Sequence, residues 1–484
     1  MLHALHRNLH DLTTRTFDLL VIGGGIYGLT VAADAAQRGL SVALVERGDF
    51  GSGTSFNHLR TIPGGLRYLQ TLDLPRARES VRERRTLARI APWAVAPLPF
   101  VLPLYRSLAK GKMAMRCGFA LDRIVAHDRN DGLPASHTLP GGRVIGRAEA
   151  QATYPDLQPL DITGAAVWYD YVTVEADRLT LGWALSAGAH GAILANYAEA
   201  TALGVDGRHV SGATIVDRLD GTEHQIAART VVNATGGGID RLLEPLGAGV
   251  GLPVLQAVNL VTSRPGPAAA IGGRSLSGRN LFLVPWRGRA LFGTWESPST
   301  CAPGDLTIAP AHLDAFIAEL NQAFPLWNLT RGDVTLVHRG TVPARVRSGR
   351  PPTLDGGERV YDHAASGLTG LVSVAGTKYT TARAVAERIV DRLLPSLGRP
   401  HVASATASTP LPHVSLDADA LLRHAATSEM VCTLADAVVR RSTLGALGCP
   451  EAPALDAAAA VVGDALGWDA DRRRKEIAGV RSLY

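Results

Sequence analysis

Gly23, Gly25 and Gly28 stand in the spacing G-x-G-x-x-G, and Glu46 ends the next apolar run. Residues of these types at these positions are suited to holding a dinucleotide. The first glycine lets the chain turn, the second lets a pyrophosphate approach the backbone, and the third packs a helix against a strand. The N-terminus of that helix offers free N–H groups and partial positive charge to phosphate. A carboxylate placed like Glu46 hydrogen-bonds a ribose hydroxyl. A glycine triplet alone is a weak signal, so the elements around it decide.

Those elements read as strand, turn, helix, strand. FDLLVI (17–22) is a short apolar run, LTVAADAAQRG is helical in pattern and stops at Gly39, and SVALVE (41–46) is a second apolar run. This predicts one βαβ unit. Residues 76–90, rich in Arg and Glu, predict an exposed helix, and Pro92, Pro97, Pro99 and Pro103 predict a broken stretch after it. RLTLGWALSAGA (178–189) predicts a helix that leads into the apolar GAILANY, and RTVVNAT (229–235) a strand ending in glycines. Residues 281–294 predict a β-hairpin turning at Arg287-Gly288, and LVSVAG (371–376) a strand followed by a helix over 380–394. Beyond the proline-containing 396–412, residues 415–484 are rich in Ala and Leu and predict a separate helical tail.

Composition bounds the function. The 484 residues are 46% hydrophobic and 19% charged, an ordinary globular balance. The net charge of +5 comes from scattered arginines without an aromatic stacking set, so no nucleic-acid partner is expected. Cys117, Cys301, Cys432 and Cys449 have neither metal-ligand nor redox spacing, so free thiols, a reducing compartment and no metal site are expected. The first fifteen residues lack the apolar region of a secretory signal, and no run of about 18 apolar residues exists to cross a membrane. A cytoplasmic location is expected. LPFVLPLYRSLAKGKMAMRCGFALDRI (98–124) sets Phe100, Leu102, Met113, Met115 and Phe119 among Arg106, Lys110, Lys112, Arg116 and Arg123. That pattern suits peripheral contact with the anionic inner face of a cell membrane.

The glycine unit at the N-terminus, VVNATGG (231–237) and GLVSVAGTKYTTARAVAE (370–387) are three segments far apart in sequence. Together they resemble the FAD-binding domain of the D-amino-acid-oxidase-like flavoprotein superfamily. GTSFNHLRTIPGGLRYL (53–69), VPWRGRALFGT (284–294), GTKYTT (376–381) and EMVCTLADAVVRRSTLG (429–445) are similar, in order, to segments of the FAD-dependent glycerol-3-phosphate dehydrogenases. The resemblance implies an α/β fold: a Rossmann-type FAD-binding domain (17–75, 150–245, 350–395), an inserted antiparallel-sheet substrate domain (76–149, 246–349) and a C-terminal helical domain (413–484). It implies that Gly23, Gly25, Gly28, Glu46, Thr54 and Ser55 hold the ADP half of FAD, with Ala198 on the adenine side and Gly236 near the pyrophosphate. Gly376, Thr377 and Lys378 would face the pyrimidine edge of the flavin, where a cation stabilises the negative charge of the reduced ring.

The departures from the family pattern cluster on the substrate side. Pro63 replaces the histidine of H-G-G-L-R-Y-L, which removes one attachment point for a covalent flavin, and Arg60 stands at the preceding lysine position. Val342 replaces the phosphate-gripping arginine of G-x-R-P, and Tyr361 takes the place of a second arginine. Gln256-Ala257-Val258-Asn259 replaces K-G-S-H, and Thr294-Trp295-Glu296 replaces T-T-D. His338, His363 and Arg60 are therefore the candidate catalytic residues, and Arg339, Arg345 and Tyr361 the candidate substrate-binding residues. The reaction implied is oxidation of a CH–OH group on a small polyol-like, phosphorylated or otherwise anionic substrate. Hydride would pass to FAD and electrons on to a quinone or another acceptor. An amine or amino-acid oxidase using O₂, and a flavin-binding protein without activity, remain as alternatives.

Overall fold

In the computed structural model the described residues are 4–107, 111–158 and 160–484. A six-stranded sheet lies at the centre, in the order Glu358–Asp362, Leu371–Gly376, Val231–Asn233, Leu19–Ile22, Val42–Val45, Ile193–Ala195. Every neighbouring pair is parallel except the first. Leu19–Ile22 and Val42–Val45 are buried at every residue, which is why they read as unbroken apolar runs. Leu19, Val21, Val42 and Leu44 pack under the helices Ile26–Gln37, Ala176–Ala189 and Ala382–Ser396. Leu20, Ile22, Ala43 and Val45 face a four-stranded sheet that includes Ala198–Asp206 and His209–Asp217.

A second, larger sheet is mostly antiparallel. Its order is Arg350–Leu354, Val334–Arg347, Val254–Pro265, Arg289–Glu296, Asn280–Trp286, Ala270–Arg274, Val95–Leu104, Gly164–Thr173 and Thr61–Ile62, with Arg143–Gly146 also on Gly164–Thr173. The predicted hairpin is Asn280–Trp286 against Arg289–Glu296, and both turn residues, Arg287 and Gly288, have positive φ. The C-terminal helices Ala418–Ser428, Ala452–Leu466 and Ala470–Arg481 share their own core around Leu434, Val438, Leu455 and Val462.

Three expectations are corrected. Thr61–Ile62 and Gly164–Thr173 fall inside the segments expected to build the FAD-binding domain, yet both belong to the large sheet. The prolines at 97, 99 and 103 do not break the chain: Val95–Leu104 pairs with Gly164–Thr173 without interruption. Prolines at every second residue turn their missing N–H to one side, so the ladder on the other side survives. The helix over 76–90 extends to Leu74–Ile90 and is not simply exposed. Its charged residues turn inward onto partners: Arg84 pairs with Asp170, and Glu83 takes a two-point contact from Arg383, Nε–Oε2 2.7 Å and Nη2–Oε1 2.6 Å.

That last pair joins the 74–90 helix to Ala382–Ser396 beside the central sheet, with both side chains almost wholly buried. Removing one partner of such a pair leaves a buried charge uncompensated. Glu83→Gln is expected to lower the unfolding free energy by about 3–5 kcal/mol. Urea unfolding followed by far-UV circular dichroism checks this, and a change under about 1 kcal/mol would contradict it.

Candidate functional site

A cavity of about 970 Å³ runs along the carboxyl ends of the parallel strands. This is the upper end of the ~300–1,000 Å³ usual for small-molecule sites, as an extended dinucleotide requires. Its floor is the turn between Leu19–Ile22 and Ile26–Gln37. Gly23 has φ of 108°, and a Cβ there would lie 2.6 Å from the Ala234 carbonyl oxygen. A Cβ on Gly28 would lie 1.9 Å from the Gly23 carbonyl oxygen. Gly28 therefore lets the helix sit on its own turn, and it does not itself line the cavity. Gly25 differs: a Cβ there would meet only Ser55 Oγ, at 3.1 Å.

Ten of the eleven predicted cofactor residues line this one cavity: Gly23, Gly25, Glu46, Thr54, Ser55, Ala198, Gly236, Gly376, Thr377 and Lys378. Ser55 Oγ accepts the Ile26 N–H at 2.8 Å, at the mouth of the helix. Glu46 accepts the Gly24 N–H at 2.6 Å and the Gly48 N–H at 2.8 Å. Burial pushes its carboxyl above the usual range, against the pull of those two N–H groups. Thr54 Oγ1 donates to the Thr341 carbonyl at 2.9 Å and accepts its N–H at 3.1 Å, tying the loop to the strand Val334–Arg347. Among the described residues, no group of His, Cys, Asp and Glu is arranged to hold a metal ion.

The predicted catalytic and substrate residues lie elsewhere. None of His338, His363, Arg60, Arg339, Arg345 and Tyr361 lines the cavity. Arg60 is fully buried, 4.8 Å over the Trp286 ring and 5.0 Å over Phe56, with Nη1 3.3 Å from Asp177. His338 Nε2 lies 3.4 Å from Arg60 Nη2, and its Nδ1 has no partner. Burial first, then Arg60, holds His338 well below the ordinary imidazole value. His363 is buried with Nε2 2.8 Å from Ser373 Oγ. Tyr361 packs with Ile239, Leu252 and Ala375. Arg345 is spent on Asp355, at 2.9 Å, and Arg339 is exposed on the strand face opposite His338. Sequence alone did not separate these roles, because strand position and burial decide them.

The structure adds residues at the Lys378 end of the cavity. His58 lines the wall, stacked on Tyr379 with ring centroids 5.0 Å apart, but both its nitrogens face Arg60, the main-chain N–H at 3.1 Å and Nη1 at 3.3 Å. The Lys378 ammonium is buried without a hydrogen-bond partner and sits 4.3 Å from the Tyr68 ring centroid. Arg67 Nη2 donates to the Tyr68 hydroxyl at 2.8 Å. Burial raises the Tyr68 phenol, yet Arg67 and Lys378 overcome it and hold the group below its ordinary value. The segment PGGLRYL positions this set: Gly64 leaves room for the Arg84 guanidinium, 2.2 Å from where its Cβ would be, and Gly65 takes φ of 81°.

A glycine cradle at a helix N-terminus, a carboxylate at the ribose position and an unpartnered ammonium at the far end fit a flavin dinucleotide. The family model described as "FAD dependent oxidoreductase" matches residues 18–392. The chain belongs to that family, and FAD is the cofactor its cavity is built to hold. Within the family it stands beside the glycerol-3-phosphate dehydrogenases. That of Synechocystis sp. is 31% identical over 423 residues, 84% of this chain and 75% of the relative. The probable mitochondrial enzyme of Caenorhabditis elegans is 34% identical over 398 residues, 78% of this chain and 52% of the relative. The chain thus spans three-quarters of the first and about half of the second. The glycerol-3-phosphate dehydrogenase from Bacillus halodurans, solved with FAD, is similar in fold: TM-score 0.73 at 22% identity, covering 98% of this chain and 95% of that one.

The two glycines separate folding from binding. Gly25→Ala adds a methyl that only Ser55 Oγ meets, so the protein should fold while FAD affinity falls by at least tenfold, because the pyrophosphate loses its approach. Gly28→Ala should instead impair folding itself. FAD titration by flavin fluorescence, beside a circular dichroism melt of each apoprotein, checks both. A Gly25→Ala protein that binds FAD like the parent contradicts the placement.

Proposed function

We propose that this protein is an FAD-dependent dehydrogenase that oxidises a CH–OH group of a small anionic polyol derivative. The observation that carries the reading is the buried, unpartnered ammonium of Lys378 at one end of the cofactor cavity, with Tyr68 and its partner Arg67 beside it, just outside the lining. Gly23, Gly25, Glu46, Ser55 and Ala198 would hold the nucleotide half of FAD, and Gly376, Thr377 and Lys378 the flavin half. When bound, FAD supplies hydride-accepting, two-electron chemistry. The protein's own residues then have two tasks.

The first is to hold the substrate anion. Two cations and one hydroxyl donor give charge-assisted hydrogen bonds, the strong kind. Arg67 and Lys378 stand in segments that match the family pattern, while Val342 lines the cavity where the pattern has an arginine. An anion site is therefore kept although both arginines of the pattern, at positions 342 and 361, are gone. The second task is to keep water away from the reacting carbon. Tyr379, His58 and Val342 wall this end of the cavity, and Tyr379 is fixed by a 2.8 Å hydrogen bond to Thr180.

Membrane contact belongs to the same reading. In Lys112–Val125, Met113, Cys117, Ala120 and Ile124 recur at the i, i+4, i+7, i+11 spacing of one helix face, and all four are exposed. Arg116 and Arg123 are exposed beside them. An apolar stripe flanked by cations lies flat on an anionic lipid surface. There the enzyme would meet a lipid-soluble quinone acceptor. Lys110 of the same predicted segment lies outside the described residues, and among the described residues no helix is long and apolar enough to cross a membrane.

Lys378→Met should raise KM for glycerol 3-phosphate by about 10- to 100-fold, the equivalent of one charge-assisted hydrogen bond of ~1.5–3 kcal/mol. Steady-state assays with a dye acceptor, run beside unphosphorylated glycerol, test this. Equal turnover of the neutral and phosphorylated polyols by the parent protein would overturn the anionic-substrate reading.

Met113→Asp with Ile124→Asp should abolish co-sedimentation with anionic phospholipid vesicles at low salt. Undiminished sedimentation would remove that helix from the contact.

A further inference from the structure

We infer that the C-terminal helical domain is a clamp on the nucleotide end of the FAD site, acting through Arg440 and Arg441 on Asp49. The loop after Val42–Val45 supplies Glu46, Arg47, Gly48, Gly51, Ser52 and Gly53 to the cavity wall. Asp49, in the middle of that loop, points the other way and is 1% exposed. Its carboxylate accepts from Arg441 Nη1 and Nη2, both at 2.7 Å, and from Arg440 Nε at 2.5 Å. A fourth donor is Asn196 Nδ2 at 3.2 Å. Burial alone would raise this carboxyl; Arg441 and Arg440 overrule it and hold Asp49 well below the usual range.

The same residues reach the second wall of that end. Tyr197 and Ala198 line the cavity, and they are stitched to the first loop by Tyr197 N–H to the Gly48 carbonyl, 2.9 Å, and Ala198 N–H to the Glu46 carbonyl, 2.8 Å. The Tyr197 hydroxyl donates to Asp436 at 2.8 Å, and Asp436 also accepts from Arg440 Nη2 at 2.5 Å. Asn196 Nδ2 donates to the Met430 carbonyl at 2.8 Å. Two carboxylates and two guanidiniums thus balance in one cluster, to which the 46–53 loop contributes Asp49 and the C-terminal domain contributes Asp436, Arg440 and Arg441. Consecutive helical residues normally point about 100° apart. Here the segment Asp436–Arg441 is wound as a π-type turn, with Ser442 N–H on the Ala437 carbonyl at 2.9 Å, and both arginines converge on one carboxylate.

Residues 391 and 392 positions from Asp49 therefore set the shape of the loop that receives the adenosine half of FAD. Arg440, Arg441 and Asp49 are positioning residues: they touch the wall from behind and do not face the cofactor. Coupling is reciprocal, so bound FAD should in turn tighten the docking of the C-terminal domain.

The test uses full-length protein stripped of FAD and reloaded. Arg441→Met should raise the FAD dissociation constant at least tenfold, and Arg441→Lys, which keeps one charge, should raise it less. Hydrogen exchange should quicken over residues 46–53 in Arg441→Met and stay unchanged over the strand Leu371–Gly376. The control is Glu429→Gln, which breaks the buried pair of Glu429 with Arg178 on Ala176–Ala189, 2.5 Å, does not touch the 46–53 loop, and leaves in place the Glu429 main-chain carbonyl that accepts from Arg441. It should lower the melting temperature and leave FAD affinity within twofold. Should Arg441→Met fail to fold, Asp49→Asn is measured in its place, with the same tenfold loss expected. FAD affinity unchanged in Arg441→Met or its substitute, or lost equally in Glu429→Gln, overturns the clamp.

Discussion

The close approach of Gly28 to the Gly23 carbonyl is the constraint on which the rest of the site depends. Only a residue without a Cβ lets Ile26–Gln37 begin so near the strand it follows. That contact fixes where the helix N-terminus points, and its N–H groups and partial charge define the phosphate position. Ser55, Glu46 and the 231–238 turn then arrange themselves around that point. The cavity is a consequence of how tightly one helix is seated, and it runs outward from there in both directions.

What holds the walls is electrostatic more than apolar. The large sheet and the central sheet meet along the cavity, and hydrogen bonds join them there: Thr54 to Thr341, and Thr377 Oγ1 to the Asp355 carbonyl. Buried ion pairs span the larger distances in sequence, Glu83 with Arg383 and Asp49 with Arg441. Such pairs add little net stability over an apolar replacement, but they define which partner each group must find. In a protein whose cofactor wall is assembled from segments hundreds of residues apart, that selectivity is what the charges contribute.

Legibility in the sequence followed locality. The βαβ unit, the hairpin at Arg287-Gly288 and the late strand–helix pair were readable because turn chemistry and hydrophobic period sit within a dozen residues. The glycines of the turn were readable because backbone geometry demands them. The prolines of Val95–Leu104 misled because a strand tolerates proline where the ladder does not need its N–H, which only the pairing reveals: the second side of this strand is paired only at Phe100 and Val101. The charged helix 74–90 misled because composition does not show that Glu83, Arg84 and their partners turn inward.

The histidines show why chemistry of residue type is not enough. His338 looked suited to proton transfer, yet it sits on a strand where every second side chain faces the core, between Phe56, Trp286 and Arg60. Burial and a neighbouring guanidinium both disfavour its charged form. Arg60, in turn, is held there by two aromatic faces and Asp177. Replacing the family's lysine by a planar guanidinium allows that stacking, which an ammonium cannot match. The cluster Arg60–His58–His338 therefore serves as a rigid polar support under the cavity wall. Lys378, which lines the cavity without a hydrogen-bond partner, and Arg67 beside it around Tyr68 take no part in that support. A change of substrate contacts with an unchanged cofactor site is what such a division permits: the supports and the cradle depend on one another, while Val342 lines the cavity from a small apolar cluster of its own with Leu255, Ala257 and Ala344.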